Sequence, residues 1–342
     1  MIDVLIESPG RIALNHGPVP GPLKRGEVLV EVQRVSLCGS DYRLFEGTYG
    51  GPRRYPIRFG HEWSGRIVDL HAKSRLHRNA LVTGDCSKWC GYCDLCQADK
   101  NLCRNIEKFG ITTDGFSSQY RIVEEKYLYQ DDLGMTPRLL ALVEIFAVAL
   151  RGVERADADL NKAGEVLILG AGPLGLAAYF ILKHEYSIPD VKVIETNRHR
   201  VESARTWVRE CEFTEELLEE NSTYQDIDRL SRYPVIFECA GSASALNQSL
   251  SRVAKGGLVV CLGITPPARL RTDLLVTKAL RLQGSIGGTG AFPRAMRFIA
   301  RNADAIAGIV THEFPMEEAQ KVFEQKTASS QQIKTQLVFE ES

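Results

Sequence analysis

At 342 residues the chain is longer than one hydrophobic core usually carries, so two domains are expected. Its composition, 44% hydrophobic and 25% charged, is that of an ordinary globular protein and excludes disordered, fibrous and membrane-spanning classes. A formal net charge of -1 gives no bulk attraction for nucleic acid or an acidic membrane surface, so neither is expected as a partner.

Met1 to Gly10 carries an acid and lacks the basic start and apolar stretch of a secretory signal. The longest apolar run, Leu139 to Leu150, is interrupted by Glu144 and is too short to span a bilayer. A cytoplasmic location is therefore expected, where the nine cysteines serve as thiols or metal ligands rather than disulfides. The first third has short strand-like runs, such as Val28 to Val35 and Trp63 to Leu70, punctuated by Gly and Pro, which suggests a barrel or sandwich. The middle alternates strand-like and helical stretches. Val166 to Leu169, Val191 to Ile194, Val235 to Phe237 and Leu258 to Leu262 read as strands; Leu174 to Lys183, Asn197 to Arg209 and Ser242 to Val253 intervene. That alternation predicts an α/β doubly wound parallel sheet with right-handed crossovers. The acidic run Glu215 to Glu220 reads as an exposed helix face, as does the basic cluster Arg198, His199 and Arg200. Beyond a strand at Leu280 to Ser285 come helices at Pro293 to Ala300 and Met316 to Gln325. A last strand, Ile333 to Phe339, is placed to return to the first domain.

Gly170, Gly172 and Gly175 form Gly-Ala-Gly-Pro-Leu-Gly directly between a predicted strand and a predicted helix, and Glu195 ends the next strand. This is the dinucleotide fingerprint in its proper context. Gly170 allows the tight turn, Gly172 lets the backbone approach a pyrophosphate, and Gly175 permits close helix packing. Pro173 and Leu174 open the helix whose unpaired N–H groups face the phosphates. Glu195 is placed to accept hydrogen bonds from the adenosine ribose and to repel the extra phosphate of NADP, which favours NAD. Arg198 and Arg200 leave NADP open.

Cys90, Cys93, Cys96 and Cys103 lie in one loop as Cys-x2-Cys-x2-Cys-x6-Cys, a spacing suited to a closed tetrahedral structural zinc, with Cys86 a spare neighbour. A dispersed set, Cys38, His61, Glu62 and Glu144, offers thiolate, imidazole and carboxylate donors. Glu144 stands out as an acid inside an apolar run, costly to bury unless paired or metal-bound.

Together these motifs resemble the zinc-containing medium-chain dehydrogenase family. The residues that carry the resemblance are Cys38-Gly39-Ser40-Asp41, Gly60-His61-Glu62-Trp63-Ser64-Gly65, the four-cysteine loop, Asp114-Gly115-Phe116, Glu144 and the Gly170 fingerprint. Glu238-Cys239-Ala240-Gly241, Gly256-Gly257 and Gly284-Ser285 follow in the family's order. The resemblance implies a GroES-like, β-rich catalytic domain at residues 1–137, completed by 290–342, and a Rossmann domain at 138–289. It implies one catalytic and one structural zinc per subunit. Cys38 and His61 would hold the catalytic ion, with Glu144 at the third-ligand position and Glu62 bound to the metal or just behind it. Glutamate at the third position is typical of the sorbitol, threonine and sugar dehydrogenase branch. Pro56 to Gly65, and more weakly Gly284 to Gly288, also look like the aminocyclitol-oxidising 2-deoxy-scyllo-inosamine dehydrogenases.

The reaction so implied is hydride transfer between a secondary alcohol (a polyol, amino alcohol or aminocyclitol) and NAD. Ser40, at the family's relay position, would take the alcohol proton. A homodimer or homotetramer is implied as well. Three departures stand out: six residues rather than seven before Cys103, His77 to Val82 in place of a Gly-Asp-Arg-Val turn, and Arg43 where a relay histidine is common. A zinc-free enone or quinone reductase of the same fold and a non-catalytic NAD-binding sensor are the alternatives. Cys38, His61 and Glu144 argue against the first, and the intact ligand set with Ser40 against the second.

Overall fold

The computed structural model describes residues 1–209, 211–213, 223–325 and 332–339, so the acidic run Glu215 to Glu220 lies outside the described residues. The chain divides into two units, Met1–Ala147 with Gly287–Ser342, and Val148–Ile286. The first division falls inside the helix Val143–Glu154, later than the 137/138 read from sequence. The start of that helix packs into the first unit. The Phe146 ring lies 5.9 Å from that of Phe298, and a Cβ on Gly288 would meet the Ala147 Cβ at 2.8 Å.

In the first unit, Glu27–Ser36 is the organising strand. Glu62–Leu70 runs antiparallel along it, Tyr120–Glu124 pairs with its first half and Lys334–Val338 with its last residues. The C-terminal segment thus returns to the first unit through strand pairing. Val310–Pro315 extends this sheet at one edge, and Leu81–Gly84 with Leu128–Gln130 extends it at the other. Arg11–His16, Ile2–Ser8 and Ile57–Arg58 form a separate three-stranded sheet. The turn where the family's Gly-Asp-Arg-Val is replaced is made by Asn79, whose φ of 67° shows the asparagine taking the left-handed conformation that glycine would otherwise supply.

The second unit is a six-stranded sheet, parallel throughout. Its order is Cys211–Phe213, Asp190–Glu195, Glu165–Leu169, Tyr233–Glu238, Val253–Cys261 and Arg281–Gly284. Numbered along the chain this is 3-2-1-4-5-6, the doubly wound dinucleotide-binding order, whose ligands sit where the strand order reverses. Helices Pro173–His184 and Ala243–Arg252 fall where expected. Two others are shorter than the sequence suggested. The helix expected to reach Arg209 ends at Ala204, where a tight turn buries Val208 and leads to the edge strand. The segment from Met316 begins as a 3-10 turn before Ala319–Gln325 becomes α-helical. No helix among the described residues is long and apolar enough to cross a membrane.

Two aromatic contacts fix the segment that will matter chemically. Phe59 packs edge-on against Phe323 at 5.1 Å, and Trp63 stacks on Phe116 at 3.9 Å, so His61 and Glu62 are held between two buried rings. Gly60 turns the chain there with φ +83°, and Gly115 passes so close that a Cβ on it would sit 2.2 Å from the Gly60 carbonyl oxygen. Gly115→Ala is expected to cost about 1–3 kcal/mol by overpacking. Thermal unfolding measures that cost, and an unchanged midpoint would show that the contact yields freely.

Candidate metal centres and nucleotide site

Strand pairing brings the dispersed donors together. Ser36 lies opposite Glu62, the first residue of its strand, and Cys38 follows two residues past the end of the central strand. The ligand atoms of Cys38, His61 and Glu62 lie within 4.8 Å of one another. His61 and Glu62 are buried and Cys38 is half-buried. Asp41 braces the group from the short helix Gly39–Phe45. One of its carboxylate oxygens accepts from the Cys38 N–H at 2.8 Å. The other accepts from the Gly60 N–H at 3.2 Å and lies 3.8 Å from His61 Nδ1. The Ser40 hydroxyl is 3.5 Å from His61 Nε2.

Burial alone would push the Cys38 thiol up, but the hydrogen bond to His61 and the charge on that ring outweigh it, with help from Lys334, and bring it to about 6. Burial pushes His61 down, yet Asp41 and Cys38 together raise it to about 10. The metal-free pair is therefore a thiolate beside an imidazolium. Burial drives the Glu62 carboxyl well above its usual range despite Lys334, so its anion is under-compensated by the protein alone. Neither Glu62 oxygen, nor His61 Nδ1, makes a well-angled hydrogen bond among the described residues. A soft thiolate, an imidazole and a carboxylate, buried and short of positive charge, form a donor set that fits zinc.

Glu144 is buried in the first turn of its helix but lies outside that group of three. Burial and the Glu144 charge hold the Cys86 thiol well above its usual range, and the same charge is felt by His61, Glu62 and Lys334. Cys86 is thus not a spare for the four-cysteine loop. It precedes the strand Ser87–Lys88 and stays in the core, while the loop projects from the hairpin that this strand makes with Glu107–Lys108. Two further residues at the site were given no role by the sequence reading. Asp41 could have been found from its place three residues after Cys38 at a helix start. Lys334, a lone cation in an otherwise uncharged final strand, is fully buried, with Nζ 2.5 Å from Glu62 Oε2.

The sulfurs of Cys90, Cys93, Cys96 and Cys103 also lie within 4.8 Å of one another. The short spacing before Cys103 is absorbed by the turn Lys100–Leu102, which carries Cys103 Sγ to 3.5 Å from Cys90 Sγ. Four thiols with no other donor among them fit a closed structural zinc.

In the second unit the Gly-rich turn follows Glu165–Leu169. Gly170 has φ +104° and lies against Ala240, while a Cβ on Gly172 would meet nothing within 4 Å, leaving that backbone open to a ligand. A Cβ on Gly175 would fall 1.9 Å from the Gly170 carbonyl oxygen, so only glycine lets the helix Pro173–His184 start there. Glu195 is buried and fully engaged. One oxygen accepts from the Thr196 and Asn197 N–H groups at 2.9 and 3.0 Å. The other accepts from the Ala171 N–H at 3.0 Å and from Arg200 at 3.2 Å. Arg198 instead lies over the Phe213 ring at 3.9 Å. An open glycine backbone at a helix N-terminus fits a dinucleotide pyrophosphate.

Residues 24–132 match the alcohol dehydrogenase GroES-like domain and residues 139–339 the glucose dehydrogenase C-terminus. L-threonine 3-dehydrogenase of Coxiella burnetii (strain RSA 493 / Nine Mile phase I) is 27% identical over 332 residues, 95% of each chain. A protein of E. coli CFT073 described as a short chain alcohol dehydrogenase, complexed with NADH, has the same fold, with a TM-score of 0.86 at 22% identity over 99% of each chain. A protein of Sinorhizobium meliloti 1021 described as a zinc-binding dehydrogenase, bound to NADP, gives a TM-score of 0.82 at 27% identity over 98% of each chain. The chain belongs to the zinc-containing medium-chain dehydrogenase/reductase family, close to its threonine and sorbitol dehydrogenase branch. It is an NAD(P)-dependent oxidoreductase of the alcohol dehydrogenase superfamily, built from a GroES-like domain and a Rossmann-like domain.

In metal-free protein, Cys38 is expected to be alkylated by iodoacetamide at pH 7, because its thiolate form predominates above about 6. The rate should fall as pH drops through that value, and added zinc should protect. Peptide mapping separates Cys38 from Cys90, and an unreactive Cys38 at pH 7 contradicts the thiolate–imidazolium pair.

Proposed function

We propose that this chain transfers a hydride between a secondary alcohol and NAD, with one catalytic and one structural zinc per subunit. The observation that carries the reading is the buried convergence of Cys38, His61 and Glu62 beside Ser40. Cys38, His61 and one of the acids Glu62 and Glu144 would hold the catalytic ion; Cys90, Cys93, Cys96 and Cys103 would hold the structural one. When bound, zinc supplies a Lewis acid and NAD the hydride acceptor.

The chain's own residues then divide the remaining work. Asp41 fixes the Cys38 and Gly60 backbone on either side of the site and places a negative charge beside the imidazole, so the donor positions are set before any ligand arrives. Ser40, beside the His61 ring, takes the proton of the alcohol hydroxyl. Arg43, on the same helix, stands where a relay histidine is common and leaves the onward route of that proton open. In the second unit Gly172, Pro173 and Leu174 would present the open helix start to the pyrophosphate, with Gly170 and Gly175 shaping the turn, and Glu195 with Arg200 would lie at the adenosine ribose.

Within the substrate class, a polyol, amino alcohol or aminocyclitol, the likeness to L-threonine 3-dehydrogenases supports the amino alcohols. The glutamates at the site and the Pro56 to Gly65 segment support the polyols and aminocyclitols. A screen of NAD reduction over polyols, threonine, sugars and aminocyclitols, with zinc quantified, tests the reading.

Cys38→Ser and His61→Ala are each expected to lower zinc from two ions per chain to one, matching the two clusters, and to abolish nearly all turnover while NAD still binds. Full turnover by a His61→Ala protein lacking that ion would end the zinc mechanism. Glu195→Ala is expected to reduce the NAD over NADP preference by about tenfold, the worth of a hydrogen bond to a charged group. An unchanged ratio of kcat/KM values rejects its role at the ribose.

A further inference from the structure

Asn101 belongs to the four-cysteine loop but serves a segment outside it. It sits in the turn Lys100–Leu102, two residues before Cys103, and is buried. Asp99 accepts from its backbone N–H at 3.0 Å and from its amide at 2.8 Å, which fixes the plane of that amide. The same amide reaches a residue 188 positions along the chain, where Nδ2 donates to the Thr289 carbonyl at 3.0 Å. Its Oδ1 accepts from the Thr289 N–H at 3.1 Å. These are the two bonds that a residue of a paired strand would exchange, made here by a side chain. Gly287 fits against the same group: its φ is +70°, and a Cβ there would lie 2.2 Å from Asn101 Oδ1. The root of the loop grips the same place, since the Thr289 hydroxyl donates to buried Asp85 at 2.9 Å.

Gly287 is where the chain returns to the first unit. The last strand of the second unit, Arg281–Gly284, ends just before it. Sheet hydrogen bonding persists as far as Ser285, whose N–H donates to the Cys261 carbonyl at 3.1 Å. Two peptide steps, at most about 7 Å of chain, separate Ser285 from Gly287. A grip on Gly287 and Thr289 therefore restrains the carboxyl end of the sixth strand. In the order 3-2-1-4-5-6 ligands bind outside the carboxyl ends, and strands 4, 5 and 6 form the half that takes the second nucleotide of a dinucleotide. The Gly-rich turn and Glu195 belong to the other half.

We propose that Asn101 is a positioning residue for the cofactor: through it the metal-bound four-cysteine loop sets the carboxyl end of the sixth strand, and with it the nicotinamide half of the dinucleotide site. The inference rests on reading the loop as a zinc site and the second unit as an NAD(P) site. The metal fixes Cys103, Cys103 fixes the turn that carries Asn101, and Asn101 fixes Gly287 and Thr289. Loop metal and cofactor affinity are then coupled.

The test compares wild type with N101A, N101D, C93S and the N101A/C93S double variant. Zinc is counted in each, NADH affinity is read from cofactor fluorescence, and ADP affinity is read by calorimetry. ADP occupies the adenosine half alone and serves as the internal control. N101A should keep both zinc ions, bind ADP as wild type does, and bind NADH about tenfold more weakly, the scale of one or two lost hydrogen bonds. N101D keeps the acceptor for the Thr289 N–H and loses the donor, so it should weaken NADH in the same direction, and it decides the matter if N101A does not fold. C93S, which lacks a ligand of the loop metal, should reproduce the loss with NADH and add little in the N101A background.

Unchanged NADH affinity in N101A and N101D overturns the proposal. So does an equal weakening of ADP and NADH, which marks a general loosening of the second unit. Loss of the loop zinc from the Asn101 variants overturns it too, since Asn101 then only helps to hold the metal. Fully additive losses from N101A and C93S overturn the coupling. A wild-type chain that binds no NADH, or only one zinc, would instead overturn the readings on which the proposal rests.

Discussion

Buried negative charge is the constraint that organises the first unit. A carboxylate or thiolate taken out of water is costly unless donors or counter-charges replace its hydration. The site holds four such groups, and each is compensated differently. Asp41 accepts two backbone N–H groups, Cys38 pairs with His61, Glu62 faces Lys334, and Glu144 lies in the field of His61 and Lys334. Asp41 is satisfied by the backbone and needs nothing more. Glu62 is not: its carboxyl is driven upward and its oxygens lack well-angled donors. The deficit separates an acid that braces, Asp41, from an acid of the candidate metal group that the protein's own donors leave under-compensated, Glu62.

The scaffold answers that constraint with regular structure. Cys38, Glu62 and Lys334 are delivered by the ends of three paired strands, and Ser40 and Asp41 by the first turn of a helix that starts directly after Cys38. Loops alone would leave such a set too loose for chemistry. His61 is the exception, sitting in a bend, and the bend is locked from several directions. Phe59 and Trp63 anchor it into aromatic clusters, Gly60 adopts a positive φ, and Gly115 packs against its backbone. The Asp114-Gly115-Phe116 motif contributes no donor to the metal group, yet it fixes the ring that does.

What the sequence made legible is what local spacing encodes. The strands and helices of the parallel sheet, the Gly-rich turn and the four-cysteine cluster are each marked by a pattern within one short stretch of chain, and all could be anticipated from it. The dispersed donors could be listed, and Glu144 stood out because an acid interrupts an apolar run. Sequence had no means of ranking Glu62 against Glu144. Their order is set by where a strand end and a helix start fall in space, and the structure groups Glu62 with Cys38 and His61 while leaving Glu144 outside that group. The same limit explains Cys86, whose nearness to Cys90 along the chain suggested a role that the intervening strand forbids. Lys334 was the hardest to foresee. Its partner is almost a full chain length away, and a single lysine in a short strand reads as a solvated edge until the pairing with the central strand buries it.

The second unit solves its recognition problem with backbone rather than side chains, and Glu195 shows how far this goes. Its oxygens accept three backbone N–H groups and the Arg200 guanidinium, so the carboxylate first of all ties the Gly-rich turn to the end of the neighbouring strand. A carboxylate so engaged cannot turn freely toward a ribose. Its direction is fixed by the Ala171 N–H on one side and the Thr196 and Asn197 N–H groups on the other. Arg200 is the one side-chain donor among the four, so its contact can rearrange more readily than the three made by backbone N–H groups. If the turn holds a dinucleotide, the charge presented beside it is that of the Glu195–Arg200 pair and not of the acid alone.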